Sequence, residues 1–266
     1  MAAALPVGDH LREWRRRRRM SQLDLAGEAE VSSRHLSFVE TGRANPSRDM
    51  VLRLAERLEV PMRERNVLLV AAGYAPVFPE SDLGSPELTA VREAVDIILE
   101  GHKPYPAFAL DRHWRIVASN GALPQLYEGV DPALLAPPVN VMRLSLHPNG
   151  LAPRIANLGE WRGHALARLR RQVELTADPV LIELMAEAKS YSARLPAAPQ
   201  RHLAQTEMVV PFRIRFGDQL LSFFTTTLVF GTPLEVSLSE LAVESFFPAD
   251  AETAETVRTL AGLPPR

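Results

Sequence analysis

Cysteine is absent from the 266 residues. That excludes disulfides and thiolate metal sites, and it suits a reducing cytosol. Lysine is almost absent too: Lys103 and Lys189 are the only two, so positive charge is carried by arginine. No apolar run approaches the roughly 18–20 residues that a membrane-spanning helix needs. The opening MAAALPVGDH has no basic region followed by an apolar stretch, so no secretion signal is read, and a cytoplasmic location without a membrane partner is expected. HExxH, GxSxG, GxGxxG and a phosphate-cradling glycine loop are all missing, and there is no cysteine nucleophile. His102, His113, His147, His164 and His202 are scattered, with no pair at metal-ligand spacing on one helix. These absences predict no catalytic residues, no metal site and no enzyme.

What remains has the balance of a globular protein: 46% hydrophobic and 23% charged residues, in a length that allows one large or two ordinary domains. The net charge of −2 is unevenly placed, +3 over residues 1–76 and −5 over 77–266. A surface facing a polyanion therefore belongs at the front of the chain. The Arg-, Ala- and Pro-rich composition points to a GC-rich bacterial genome.

Residues 8–73 read as five short helices with clear punctuation. The first runs from about Gly8 to Arg19. The second starts at Ser21, where Ser21 and Asp24 form a capping-box pattern. The third follows Val31 with Ser32 as N-cap and stops at Gly42. The fourth starts at Ser47 after Pro46, and the fifth runs from about Pro61 to Gly73. PVFPESDLGSP (76–86) is a linker, and Pro86 to Glu100 is a connecting helix. Two strands, Pro106–Leu110 and Trp114–Ser119, are joined by a turn at Asp111–His113, and a short helix covers Asn120–Tyr127. A Pro-rich loop (Asp131–Pro138) precedes another short helix near Val139–Leu144. Ile155 to Val173 and Pro179 to Ser190 are longer helices. A hairpin of Glu207–Phe216 and Gln219–Phe230 turns at Gly217-Asp218, Leu241–Phe247 is the last strand, and Asp250 caps a final helix. This order predicts a multidomain chain: an all-α five-helix domain (1–75), a linker and connecting helix (76–103), then an α+β domain (104–266). In the last, an antiparallel sheet carries helices over one face.

The segment SQLDLAGEAEVSSRHLSFVETGRANPS (21–47) resembles the lambda-repressor-like, or XRE, helix-turn-helix family. Gln22, Leu25, Ala26, Val31, Ser32, Leu36, Ser37, Glu40, Gly42 and Pro46 fall at that family's spacing. Ala26 supplies the small residue that two closely crossing helices need, and Leu25, Val31, Leu36 and Val39 lock the second helix onto the third. The departure is Glu30, where such turns commonly carry glycine; it requires a non-glycine residue at positive φ. The resemblance implies an exposed N-terminal face of the third helix that enters the major groove. Ser32, Ser33, Arg34 and Ser37 are then the candidates there, with Arg34 suited to guanine. Gln22 is expected at a phosphate, and Arg43 and Asn45 at the DNA backbone. Glu40 reads as an internal hydrogen-bonding partner. Of Arg15–Arg19, one or two can reach phosphates, because successive helical residues point about 100° apart.

Residues 104–262 resemble the ligand-binding domain of MmyB-like transcriptional regulators, a PAS-like domain that can hold a fatty acid. PAFALDRHWRIVASN, NVMRLSLHPNG followed by Trp161, and FGTPLEVSLSELAVESFFPAD carry the likeness. The family's Trp/His-rich stretch before the later strands is replaced here by LPAAPQRHLAQ. An apolar ligand cavity needs aromatic walls and a few polar groups at one end. Trp114, Leu126, Tyr127, Met142, Trp161, Leu169, Met185, Phe212 and Phe224 are candidates for the wall. Asn140, Arg143 and His147 are candidates for a head-group cluster, Arg143 for a carboxylate. Each set has a competing reading as ordinary core, caps and surface charge. The whole reads as a homodimeric DNA-binding regulator on a double-stranded operator, with no cofactor beyond a bound apolar or fatty-acid-like ligand. Two alternatives stand beside it: a ligand-independent repressor whose second half only dimerises, and an enzyme with an autoregulatory DNA-binding domain.

Overall fold

A computed structural model describes residues 5–122, 126–191, 210–231 and 233–264. Its contacts fall into two compact units, one built mainly on the chain up to Glu80 and one mainly on the chain from Ser81 onward.

The first unit holds five helices: α1 (Val7–Arg17), α2 (Gln22–Glu28), α3 (Ser33–Glu40), α4 (Arg48–Arg57) and α5 (Met62–Ala71). Their starts follow the expected caps. Ser21 and Asp24 form a reciprocal capping box on α2, Ser32 Oγ accepts the His35 N–H at 3.1 Å, and Ser47 Oγ accepts that of Met50 at 3.3 Å. The ends share one device. Val31 N–H reaches back to the Ala26 carbonyl and Glu30 N–H to that of Gly27, a Schellman closure. Met20 with Arg19, and Val60 with Glu59, close α1 and α4 the same way. Arg19, Glu30 and Glu59 therefore sit at φ 58°, 54° and 48°, where glycine is usual. The apolar residue after each, Met20, Val31 or Val60, packs on the core. Glu30 adopts the positive φ that the missing glycine requires.

Leu11, Trp14, Leu25, Ala26, Leu36, Val39, Leu54 and Leu58 make the buried core of this unit. Two features bring α3 close to α1. Gly8 is one: a Cβ there would lie 2.3 Å from the Val39 carbonyl oxygen. The other is Glu40, only 2% exposed. Its carboxylate receives Arg15 Nε at 2.7 Å and Nη2 at 2.9 Å, and Gln22 Nε2 at 2.8 Å, while Arg12 donates to its backbone carbonyl. Burial alone would raise the Glu40 pKa, but the hydrogen bonds from Arg15 and Gln22 and the charges of Arg15 and Arg12 hold it below its ordinary value.

The second unit is a five-stranded antiparallel sheet with helices, as expected. Its strands are β1 (Ala107–Leu110), β2 (Ile116–Ser119), β3 (Phe212–Phe216), β4 (Gln219–Val229) and β5 (Ala242–Pro248), in the order β2-β1-β5-β4-β3. Its helices are α6 (Thr89–Gly101), α7 (Pro132–Leu135), α8 (Val141–Leu146), α9 (Leu158–Thr176), α10 (Pro179–Ser190), α11 (Val236–Ser239) and α12 (Ala251–Leu260). Asp250 caps α12 as expected. The expected strand start at 207–209 and the LPAAPQRHLAQ stretch lie outside the described residues, as do 123–125 of the expected helix over 120–127.

The expectation that helices gather over one face needs correction. Side chains alternate along a strand, and here both faces are covered. Phe108, Leu110, Phe212, Ile214, Phe223 and Phe246 face one core with residues of α8, α9 and α10. Ala107, Ala109 and Val243 face the other with Val95 and Leu99 of α6, so the helix expected as a connector is part of this unit. Buried Asn120 ties it in: its Oδ1 accepts Ala107 N–H, and its Nδ2 donates to the carbonyls of Leu99 and Tyr105.

Three outcomes follow for the first unit. Gly8→Ala forces a methyl group onto the α3 backbone, and overpacking of that kind costs about 1–3 kcal/mol. Amide hydrogen exchange in α1 and α3 should quicken accordingly; unchanged exchange would show that the close approach does no work. Arg15→Ala strands a buried carboxylate and should cost about 3 kcal/mol. Because the Glu40 pKa is depressed on folding, its stabilisation is complete above the unfolded carboxyl value, about 4.3, and is lost as pH falls through the folded value. Glu40→Gln should therefore flatten the acid limb of this unit's pH–stability curve, measured by denaturation at a series of pH values.

Candidate nucleic-acid interface and ligand cavity

On α3 the side chains sort by face. Leu36 and Val39 are buried with Glu40, whereas Ser32, Ser33, Arg34 and His35 are exposed and Ser37 is half-buried. The N-terminal turn of the helix thus presents the candidate base-reading residues, on a helix held from behind by the Glu40 network. The Arg34 guanidinium lies 5.4 Å from the centroid of the Phe38 ring, a stacking contact that extends it along the helix surface. Arg43 and Asn45 are exposed in the segment after α3. Gln22 is half-buried, and an N–H of its Nε2 is directed at Glu40. Its first role is therefore structural, in addition to the phosphate contact expected from its position. The arginine run divides as helical geometry requires. Arg15 is committed to Glu40, Arg17 to Glu13 and Arg18 to the carbonyls of Leu58 and Glu59. Arg16 and Arg19 are exposed.

The second unit holds a narrow, partly open apolar cavity of about 60 Å³. Trp114, Leu126, Met142, Trp161 and Phe212 line it, so five of the candidate wall residues come together. The other four do not line it. Leu169 and Met185 are buried in the same core, and Tyr127 packs against it, its hydroxyl pushed up to about 12 by burial. Phe224 points to the opposite side of the pleat from Phe223 and stacks on Phe247 at 5.2 Å. One residue along a strand exchanges faces, and the run Phe223-Phe224 leaves the choice open.

The expected head-group cluster also needs correction, because its members serve the fold. Asn140 Oδ1 caps α8 by accepting Met142 and Arg143 N–H, and its Nδ2 donates to the His113 carbonyl. Arg143 pairs with Glu187 at 2.8 Å. The His147 ring meets the edge of Tyr191 at 4.8 Å. The polar groups that line the cavity are instead Ser145, His164, Arg168 and Glu244.

Arg168 Nη2 donates to Glu244 Oε1 at 2.5 Å and to Thr227 Oγ1 at 3.3 Å. Its guanidinium lies 4.8 Å from the Trp114 ring centroid. Glu244 stands in register with Phe108 on one side and Thr227 on the other, so one row of the sheet floors the cavity. Trp114 is held at φ 64°, an unusual backbone for a bulky side chain, and gives its Nε1–H to Gln172. The signals for these residues are present in the sequence. Trp161, His164 and Arg168 recur at helical spacing on α9, and Glu244 is the one charged residue of a largely apolar strand.

Among the described residues, no group of three His, Cys, Asp or Glu is placed to hold a metal ion, and no helix is long and apolar enough to cross a membrane.

Comparison with known proteins places both units. Residues 6–68 match the family described as a helix-turn-helix domain. Over 76 residues, 28% of this chain, the sequence is 38% identical to a protein of Bacillus subtilis (strain 168) named as the uncharacterized HTH-type transcriptional regulator RghRB. The match spans about half of that relative, 52% of its length. Residues 91–260 match the family described as the MmyB-like transcription regulator ligand binding domain. With well over half of its length inside that match and a helix-turn-helix domain ahead of it, the chain belongs to the MmyB-like transcription regulators.

Proposed function

We propose that the protein binds a DNA operator in a sequence-specific manner and that a small apolar or amphipathic ligand in the second unit controls this binding. The observation that carries the DNA reading is the exposed first turn of α3, bearing Ser33 and Arg34, with half-buried Ser37 one turn on, on a helix whose opposite face is locked by Leu36, Val39 and Glu40. Arg34 is assigned to a base edge, where a bidentate contact to guanine contributes about 1–3 kcal/mol of discrimination. Ser32, Ser33 and Ser37 share that groove, and Arg43 and Asn45 grip the sugar-phosphate backbone. Gln22 reaches a phosphate in the same reading. One such domain reads one half-site, so specific affinity calls for a homodimer on a pseudo-palindromic operator.

The control reading rests on the aromatic cavity of the second unit and on the family to which the chain belongs. A free volume of about 60 Å³ is well short of the roughly 300–1,000 Å³ of ligand-filled pockets. In this reading the occupant parts the wall as it enters. That requirement suits a sensor: a ligand that binds the parted arrangement better than the closed one shifts the population between them, and operator affinity shifts in turn.

Arg34→Ala is expected to relax preference at one operator position, at a cost of about 1–3 kcal/mol on the preferred sequence. Arg43→Ala should weaken every sequence alike and lower the slope of log affinity against log salt by about one. Fluorescence-anisotropy titrations over operator variants and salt concentrations separate the two patterns, and a wild-type response from both variants would refute the assignment. For the ligand, solvent extraction of purified protein followed by mass spectrometry should recover an apolar compound. Repeated failure to find one, with no thermal shift from a lipid panel, would leave the second unit with dimerisation alone.

A further inference from the structure

Two tryptophans line the cavity, and they differ in one respect. Trp114 donates its Nε1–H to Gln172 Oε1. Trp161 is 7% exposed, yet its Nε1–H meets no acceptor among the described residues. A buried donor left unpaired costs about 1–3 kcal/mol, and native structures seldom leave one without a reason. Its ring is fixed by Phe212, 4.7 Å away between centroids, and by His164 at 5.9 Å. Trp161 thus lines the cavity and, among the described residues, carries a buried hydrogen-bond donor that is unmet.

Its charges, by contrast, are already matched. Arg168 is bound to Glu244, whose side chain is 5% exposed. A ligand carboxylate would bring a second negative charge beside a buried one, with a single guanidinium to share between them. His164 adds no positive charge: burial, with Arg168 and Arg171 nearby, lowers its pKa, so the ring is neutral at pH 7.

We propose that the cavity selects an uncharged apolar molecule carrying one hydrogen-bond acceptor, such as a carbonyl oxygen, which Trp161 Nε1–H receives, and that it disfavours the free carboxylate of the same chain length. This rests on the ligand-sensing reading and narrows it. In that role Trp161 supplies orientation, the Arg168–Glu244 pair excludes anions, and the remaining wall supplies apolar burial.

The test uses the full chain labelled with ¹⁵N and three probes of equal length: 2-octanone, octane and octanoate at pH 7. Trp14, Trp114 and Trp161 are the only tryptophans, so the indole resonance absent from Trp161→Phe identifies Trp161. The expected result is a downfield shift of that indole proton with 2-octanone but not with octane, binding of 2-octanone about tenfold tighter than octane, the difference a hydrogen bond of ordinary strength makes, and weaker binding of octanoate than of 2-octanone because its charge meets Glu244. Trp161→Phe should erase the advantage of 2-octanone over octane while the Trp14 and Trp114 signals stay in place. Octanoate binding as tightly as 2-octanone, or an indole proton that does not move when 2-octanone binds, overturns the inference and leaves ligand sensing standing. If none of the three binds, ligand sensing falls with it. The ratio of 2-octanone to octanoate affinity in the unaltered protein decides the point even where the variant fails to fold.

Discussion

A buried carboxylate organises the reading end of this protein. Glu40 lies at the C-terminal end of α3 and gathers Arg15 from α1 and Gln22 from α2, with Arg12 on its backbone carbonyl. Removed from water, that charge has no acceptable state other than one in which those donors are in place. The network therefore specifies how three short helices meet, which apolar packing alone does less sharply, since greasy surfaces slide where hydrogen bonds do not. The same contacts explain why the arginine run is not a simple basic patch. Arg15 works inward and Arg18 ties α1 to the end of α4, so much of the charge that looks suited to DNA is invested in the fold.

The second unit follows a parallel logic with a different outcome. Its cavity has a floor of alternating strand residues, Phe108 and Phe246 on β1 and β5, and one charged member, Glu244, answered by Arg168 from α9. Trp114 stacks under that arginine from a turn whose backbone is unusual for its size. Asn140 secures the same corner, capping α8 while holding the His113 carbonyl. The polar residues that read from sequence as a head-group site thus hold the wall upright, and the polar groups lining the cavity come from α8, α9 and β5.

Legibility in the sequence tracks the range of the interaction. The side-chain caps of the first unit are local hydrogen bonds between residues three apart, and those were legible: Ser21 with Asp24, Ser32 with His35 and Ser47 with Met50, as was Asp250 in the second unit. Even the left-handed Glu30 was legible, because the turn geometry demands it whatever residue is there. Gly8 was not, since its need for a hydrogen side chain arises from Val39, distant in sequence. Gln22 illustrates the same limit: its position on α2 was readable, but its donation to Glu40 depends on how α2 and α3 meet. Helices on both faces of the sheet were likewise hidden. The buried run of β1, Ala107 to Leu110, shows both faces covered, but a short apolar run reads the same in several settings.

The cavity shows where local rules and the whole fold part company, and such places tend to be functional. A charged residue in mid-strand, a bulky residue at positive φ and a buried indole without an acceptor among the described residues each run against a general preference of folded chains. Glu244 is answered by Arg168 and Trp114 by Gln172. For Trp161 the described residues offer no answer. Its indole sits one helical turn before His164 and two before Arg168, in the stripe of α9 that lines the cavity. A wall built only for stability would have been better served by phenylalanine, which fills similar volume without a buried N–H to satisfy.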